Sequence, residues 1–200
     1  LGQGMDNAVH AITTLPDNSV VAGGEFLTAG GISANYIAYW NGTTWNPLGA
    51  GMNKPVRALL TLPDGQQVIA GGDFSMAGGV PAGCIARWDG STWTPLGSGV
   101  KGYPNVAPAV LALEAMPNGD IAVGGLFVVP PFNASAIALW RPSSEEWIKI
   151  GNMTSGTFYP FIRDLHLRTN GELVAAGHLT FFNPLNYGLG RWDGFGWGNF

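Results

Sequence analysis

Cysteine is nearly absent. Cys84 stands alone, so no internal disulfide can form and a disulfide-stapled scaffold is excluded. Its place beside Ile85 reads as that of a small buried residue. Charge is almost as scarce, at 11% of residues, and Lys54, Lys101 and Lys149 are the only lysines. Disordered chains are rich in charge and poor in apolar residues, whereas this one is 46% hydrophobic and is expected to fold. The net charge of −4 supplies no clustered basic face, which argues against a nucleic-acid partner. No apolar run reaches the roughly 18 residues that suggest a membrane helix, so no membrane span is expected. A Lys/Arg-led signal segment is lacking too. The opening residue, Leu1, is the counterpart of Leu48, Leu96 and Ile150 farther along. The start is therefore expected to be a processing or fragment boundary, with any targeting segment upstream.

Repetition is what the chain has in quantity. LGQGMDNAVHAITTLPDNSVVAGGEFLTAGGISANYIAYWNGTTWNP is answered by LGAGMNKPVRALLTLPDGQQVIAGGDFSMAGGVPAGCIARWDGSTWTP, and looser copies begin at Leu96 and Ile150. The copies run approximately over 1–47, 48–95, 96–149 and 150–200, and 1–200 reads as one repeat array. All eight tryptophans fall into two slots, Trp40, Trp88, Trp140, Trp192 and Trp45, Trp93, Trp147, Trp197. Spacings in the second slot are 48, 54 and 50 residues. A fixed period of this size signals a propeller, a solenoid or an array.

Each copy holds four short segments. The first (Val9–Leu15, Val56–Leu62, Val110–Met116, Ile162–Arg168) is aliphatic and reads as a buried strand. Pro16-Asp17-Asn18, Pro63-Asp64-Gly65, Pro117-Asn118-Gly119 and Thr169-Asn170-Gly171 follow as hairpin turns, because Asn and Gly tolerate positive φ. The second strand ends in Gly23-Gly24, Gly71-Gly72, Gly124-Gly125 or Ala176-Gly177, where small residues admit a close neighbour. A longer loop leads to Ile37–Trp40, Ile85–Trp88, Ile137–Trp140 and Leu189–Trp192. A short turn then gives a fourth strand beginning near Trp45, Trp93, Trp147 and Trp197. In the third copy Arg141–Glu146 lengthens that turn. Four short strands per unit of this length, with no helical periodicity, predict an all-β fold: a β-propeller with four four-stranded blades in this chain.

The order of hydrophobic strand, Gly-Gly strand, aromatic-Asx-Gly strand and Trp strand resembles the kelch and galactose-oxidase-like propeller repeat over the whole chain. Such rings usually close with six or seven blades. The four present leave three arrangements open: further blades beyond these ends, two chains completing one ring, or a small four-bladed ring. The expectation is a part of a larger ring or array. The resemblance carries no single activity, since propellers of this type serve as enzymes, binding modules and scaffolds. The copper centre of galactose oxidase, with its Tyr–Cys crosslink, is not implied here, because Cys84 matches no version of it.

Regular recurrence makes the tryptophans and Gly23, Gly24, Gly71, Gly72, Gly124 and Gly125 structural core. Aromatics off the repeat slots are the better binding candidates: Tyr103, Phe158, Tyr159, Phe161, Phe181, Phe182 and Tyr187. Glu25 and Asp73 follow the Gly-Gly pair, with Leu126 and His178 in the same slot, and are expected to bond within their turns. His10, His166 and His178 occupy different repeat positions without metal-ligand spacing, so neither a metal nor another cofactor is expected. Asp89–Trp93 is superficially similar to the Asp-box turn of sialidases, itself a structural hairpin. Asn41, Asn133 and Asn152 open glycosylation sequons in expected turns or loops.

These features lead to a non-enzymatic, secreted or cell-surface propeller as the first expectation. It would be a structural or adhesive module of a surface or filament-forming protein, contacting other blades or copies of itself. A propeller binding glycans, peptides or other surface proteins is the alternative. A sugar-active enzyme would need convergent catalytic groups, and no catalytic residue is assigned.

Overall fold

The computed structural model describes residues 3–130, 134–150, 159–178 and 188–198. Every strand in it is antiparallel to a neighbour in the chain. The first blade contains β1 (Val9–Thr14) and β2 (Val20–Gly24). A small ribbon of β3 (Thr28–Ala29) and β4 (Ile32–Ser33) follows, then β5 (Ile37–Trp40) and β6 (Trp45–Pro47). The second repeats this as β7 (Val56–Thr61), β8 (Val68–Gly72), the ribbon β9 (Met76–Ala77) and β10 (Val80–Pro81), β11 (Ile85–Trp88) and β12 (Trp93–Pro95). The third has β13 (Ala109–Ala115), β14 (Ile121–Val129), β15 (Ala134–Arg141) and β16 (Glu146–Ile148). The fourth has β17 (Phe161–Leu167), β18 (Leu173–His178), β19 (Gly188–Trp192) and β20 (Trp197–Gly198). Each four-stranded sheet is a simple meander. The described residues contain no helix, and so none long and apolar enough to cross a membrane. Two compact units result, Leu1–Gly99 with the first two blades and Val100–Phe200 with the last two.

The turn chemistry expected from sequence is present. Asn18, Gly65, Gly119 and Gly171 all take positive φ, between 63° and 86°, at one turn position. A second positive-φ slot immediately precedes Ile37, Ile85, Ile137 and Leu189 and is filled by Tyr36, Cys84, Ala136 and Gly188; the first two stand just before their strand and the last two within it. Only the last is glycine. Nothing in the residue types of the other three announces that conformation.

The glycine pairs work by close approach. The first strand of every blade carries a bulge, at His10, Arg57, Leu111 and Arg163. It brings a backbone carbonyl against the second glycine. A β-carbon on Gly24, Gly72, Gly125 or Gly177 would lie 2.1–2.2 Å from the oxygen of Ala8, Pro55, Ala109 or Phe161. The first glycine instead meets the next blade: a β-carbon on Gly23 would stand 2.4 Å from Val56 Cγ1, and one on Gly124 2.6 Å from Ile162 Cγ2.

Behind the pairs lie Phe26, Phe74 and Phe127, all fully buried, each two residues after the second glycine. The tryptophans of each blade are direct cross-strand partners. Their ring centroids are 5.2–5.8 Å apart. Trp45, Trp93, Trp140, Trp147 and Trp197 are buried, and Trp40, Trp88 and Trp192 are half-buried. Indole N–H groups also join a fourth strand to the residue that opens its own copy: Trp93 donates to the Leu48 carbonyl at 3.0 Å, and Trp197 to that of Ile150 at 2.8 Å.

Two expectations need correction. The first strand of the first copy is not buried: Val9 and Ile12 are exposed, while Val56, Val110 and Ile162 are fully buried. The difference is one of neighbours: Val56 and Ile162 press on the first glycine of the blade before them, and among the described residues of the first unit no blade comes before β1. In the third blade, β14 and β15 run past their expected ends, and Val128 and Val129 pair with Ser135 and Ala134 where the first two blades have a separate ribbon. The long turn of that blade is anchored differently as well. Arg141 donates to both carboxylate oxygens of the buried Asp120, at 3.0 and 2.9 Å.

Candidate functional site

In the first two blades the bulge residue of the first strand bonds to the residue after the glycine pair, while in the last two the register sets the residue after the pair opposite Ala109 or Phe161. The first-strand slot is filled by His10, Arg57, Leu111 and Arg163, and its companion by Glu25, Asp73, Leu126 and His178. One backbone geometry thus carries ionic chemistry in the first unit and largely apolar, aromatic chemistry in the second.

In the first unit Arg57 is the hub. Its Nε and Nη2 donate to Asp73 Oδ2 at 3.0 and 2.8 Å, within its own blade. Its Nη1 donates to Glu25 Oε1 of the preceding blade at 2.8 Å. His10 Nε2 lies 3.1 Å from the same Glu25 oxygen and 2.7 Å from Arg57 Nη1. Hydrogen bonding from His10, then from Arg57, holds the Glu25 carboxyl below the ordinary glutamate range. The Asp73 carboxylate foremost, joined by Glu25, raises the Arg57 guanidinium against the opposing effect of its burial. Glu25 and Asp73 are therefore not turn acceptors but the two arms of an inter-blade clasp. Sequence reasoning missed Arg57. The available signal was its position, the same repeat slot as His10.

In the second unit the two residues that follow the small-residue pair, Leu126 and His178, line a cavity of about 480 Å³ together with Val106, Tyr159 and Phe161. The Phe161 and His178 rings are 5.8 Å apart, and the Arg163 guanidinium lies 5.1 Å from the centre of Phe161. Tyr159 stacks on Tyr103 with centroids 4.4 Å apart. Of the aromatics singled out from sequence, Tyr103, Tyr159 and Phe161 are thus brought together. Phe158, Phe181, Phe182 and Tyr187 lie outside the described residues. Glu114 is elsewhere on this unit, where burial first of all raises its carboxyl and the nearby His166 works against that. Among the described residues, no group of three or more His, Cys, Asp or Glu side chains is placed to hold a metal ion.

Asn41 is exposed and makes a turn. Its Oδ1 accepts from the backbone N–H groups of Thr43 and Thr44, both at 2.9 Å. Asp89 does the same for Ser91 and Thr92 at 2.9 and 2.8 Å, and Asp193 for Phe195 and Gly196 at 2.9 Å. Backbone donors from Thr92 and Ser91 draw the Asp89 carboxyl far below its ordinary value. The Asn41 sequon thus coincides with a turn position that carboxylates fill in two other blades. Asn133 and Asn152 lie outside the described residues. Cys84 is buried, and desolvation raises its thiol to about 12.

Residues 15–38 match the model of a family described as "Domain of unknown function (DUF5122) beta-propeller". The matched stretch contains β2, its glycine pair, Phe26 and the ribbon. The fold is that of a β-propeller. Two solved propeller-like structures align with 92% of the chain at 13% identity. One is the extracellular domain of a candidate one-component system, BT4673, from B. thetaiotaomicron, with a TM-score of 0.57. The other, with a TM-score of 0.56, is described as the extracellular domain of the candidate hybrid two-component system BT4673 of the same organism. The chain spans 21% of the length of each. No curated protein matches it.

Proposed function

We propose that this chain is a non-enzymatic extracellular module of kelch-like propeller blades, part of a larger ring or array. It acts by contact, as a structural or adhesive element of a surface or filament-forming protein. The observation that carries the reading is the clasp of His10, Glu25, Arg57 and Asp73. The polar groups that would supply chemistry at this face are engaged with one another and hold one blade to the next. A kelch-like assignment is supported by glycine pairs and tryptophans recurring in register. An extracellular setting is supported by the description of the similar solved domains and by the sequons at Asn41, Asn133 and Asn152. The test is fractionation of the source cells with surface proteolysis, alongside electron microscopy of the full-length protein. Protease-accessible protein in surface particles is expected. A chain confined to the cytosol as a free monomer would end the reading.

The aromatic cavity favours a second reading, a propeller that binds a glycan or a peptide through Tyr159 and Phe161. Sugars and peptide side chains both present flat apolar faces that such rings accept. A glycan and peptide array probed with the wild-type chain and with Phe161→Ala tests it. Binding that the substitution abolishes is expected, and an array with no bound ligand would remove this alternative.

A further inference from the structure

The first strand of each blade carries an aliphatic pair three residues apart: Val9/Ile12, Val56/Leu59, Val110/Leu113 and Ile162/Leu165. Two of these pairs show their use. Val56 Cγ1 and Leu59 Cδ1 lie 2.4 and 3.3 Å from where a β-carbon on Gly23 would stand, and Ile162 Cγ2 and Leu165 Cδ1 lie 2.6 and 3.2 Å from the same point on Gly124. The pair caps the first glycine of the preceding blade. A polar contact accompanies the cap in the first unit, where Arg57, between Val56 and Ala58, reaches back to Glu25 at 2.8 Å. Among the described residues of the first unit, the pair of the first blade has no such glycine to cap. Val9 is 42% and Ile12 68% exposed, whereas Val56, Val110 and Ile162 are at 0%. His10 holds the slot that Arg57 holds in the next blade.

We propose that the uncovered face of β1 seats a further blade of this repeat whose second strand ends Gly-Gly-Glu or Gly-Gly-Asp. Val9 and Ile12 cap its first glycine, and His10 meets the carboxylate that follows. The inference continues, by one blade, an interface already present between the first and second blades, and it rests on the reading of the chain as a contact module. It also specifies what does not fit. The fourth blade of a second copy offers Ala176 where the cap needs glycine, and His178 where it needs a carboxylate. A methyl group there falls in the space that Val56 Cγ1 occupies over Gly23.

Sedimentation velocity on the whole chain at micromolar concentrations tests this, comparing wild type, the double variant Ala176→Gly/His178→Glu, and that variant with Ile12→Glu added. Circular dichroism checks that each is folded. Wild type is expected to sediment as one chain. The double variant should self-associate head to tail at least about tenfold more tightly, and Ile12→Glu should abolish the association. A folded double variant that stays monomeric, or that associates regardless of Ile12→Glu, would overturn the proposal. So would wild-type association that depends on Ile12, because the occupant would then be the chain's own fourth blade. Cell fractionation reads the extracellular assignment independently, so the two can fail separately.

Discussion

Val56 presses on Gly23 so closely that its Cγ1 is 2.4 Å from the place a β-carbon would take. Gly23→Ala should therefore destabilise the first unit by about 1–3 kcal/mol, as overpacking does. Val56→Ala in the same chain should recover part of the loss by opening the space. Gly24→Ala should be worse and beyond such rescue, because its neighbour is the Ala8 backbone oxygen at 2.1 Å. Urea midpoints of the four proteins check this. Equal losses for the two glycines, or no recovery in the double variant, would contradict it.

Phe74 sits wholly inside the second blade, in the slot of Phe26 and Phe127. Phe74→Ala is expected to cost about 3–5 kcal/mol from lost burial and the cavity left behind. A thermal melt showing a shift as small as that of a surface substitution would count against the placement.

Glu25 has a carboxyl held below its ordinary value of 4.5 by His10 and Arg57. A carboxylate with a depressed native pKa contributes stability above its unfolded pKa and loses it as pH falls through the native value. The stability advantage of wild type over Glu25→Gln should thus be full near neutrality and shrink on acidification below about 4.5. Urea titrations at a series of pH values measure it. Curves that stay parallel into strong acid would show that the clasp does not stabilise the fold.

Cys84 behaves in the opposite sense. Burial raises its thiol from 9.0 to about 12, so the native group remains neutral where the unfolded one ionises. Its contribution is complete below pH 9.0 and declines as pH rises toward 12. Alkylation at mildly alkaline pH should be slow in the folded chain and rapid in denaturant, as mass spectrometry would show. Prompt labelling of folded protein would place the thiol at the surface.

Asn41 shares its turn geometry with Asp89 and Asp193. Asn41→Asp should leave stability within about 0.5 kcal/mol while removing the sequon. A mass difference between the two proteins made in a glycosylating host would show occupancy. A large loss of stability in Asn41→Asp would mean that the amide does something a carboxylate cannot.

The strands, their turns and the glycine pairs were legible because each depends on residues close in the chain. The turn slot of Asn18 and Gly65 and the cross-strand meeting of Trp88 with Trp93 belong to that class. The Phe26, Phe74 and Phe127 slot was equally periodic and could have been read two residues after each glycine pair. Less accessible were the left-handed conformations of Tyr36, Cys84 and Ala136, which L-residues adopt only under the constraint of surrounding packing. Of the candidate aromatics, Tyr159 and Phe161 are close in sequence, but the stacking of Tyr159 on Tyr103 is a product of the folded unit.

By itself the sequence determined a four-stranded unit repeated four times, because hydrophobic alternation, turn residues and missing side chains act on the backbone locally. Tertiary structure decided what each repeat slot is for. Arg57 becomes a clasp only when a blade 47 residues away along the chain places His10 within 2.7 Å, and Val9 is bare where Val56 is buried because burial belongs to the neighbour rather than to the residue. Steric and electrostatic contacts between blades act through space, so equivalent letters in the repeat acquire different environments.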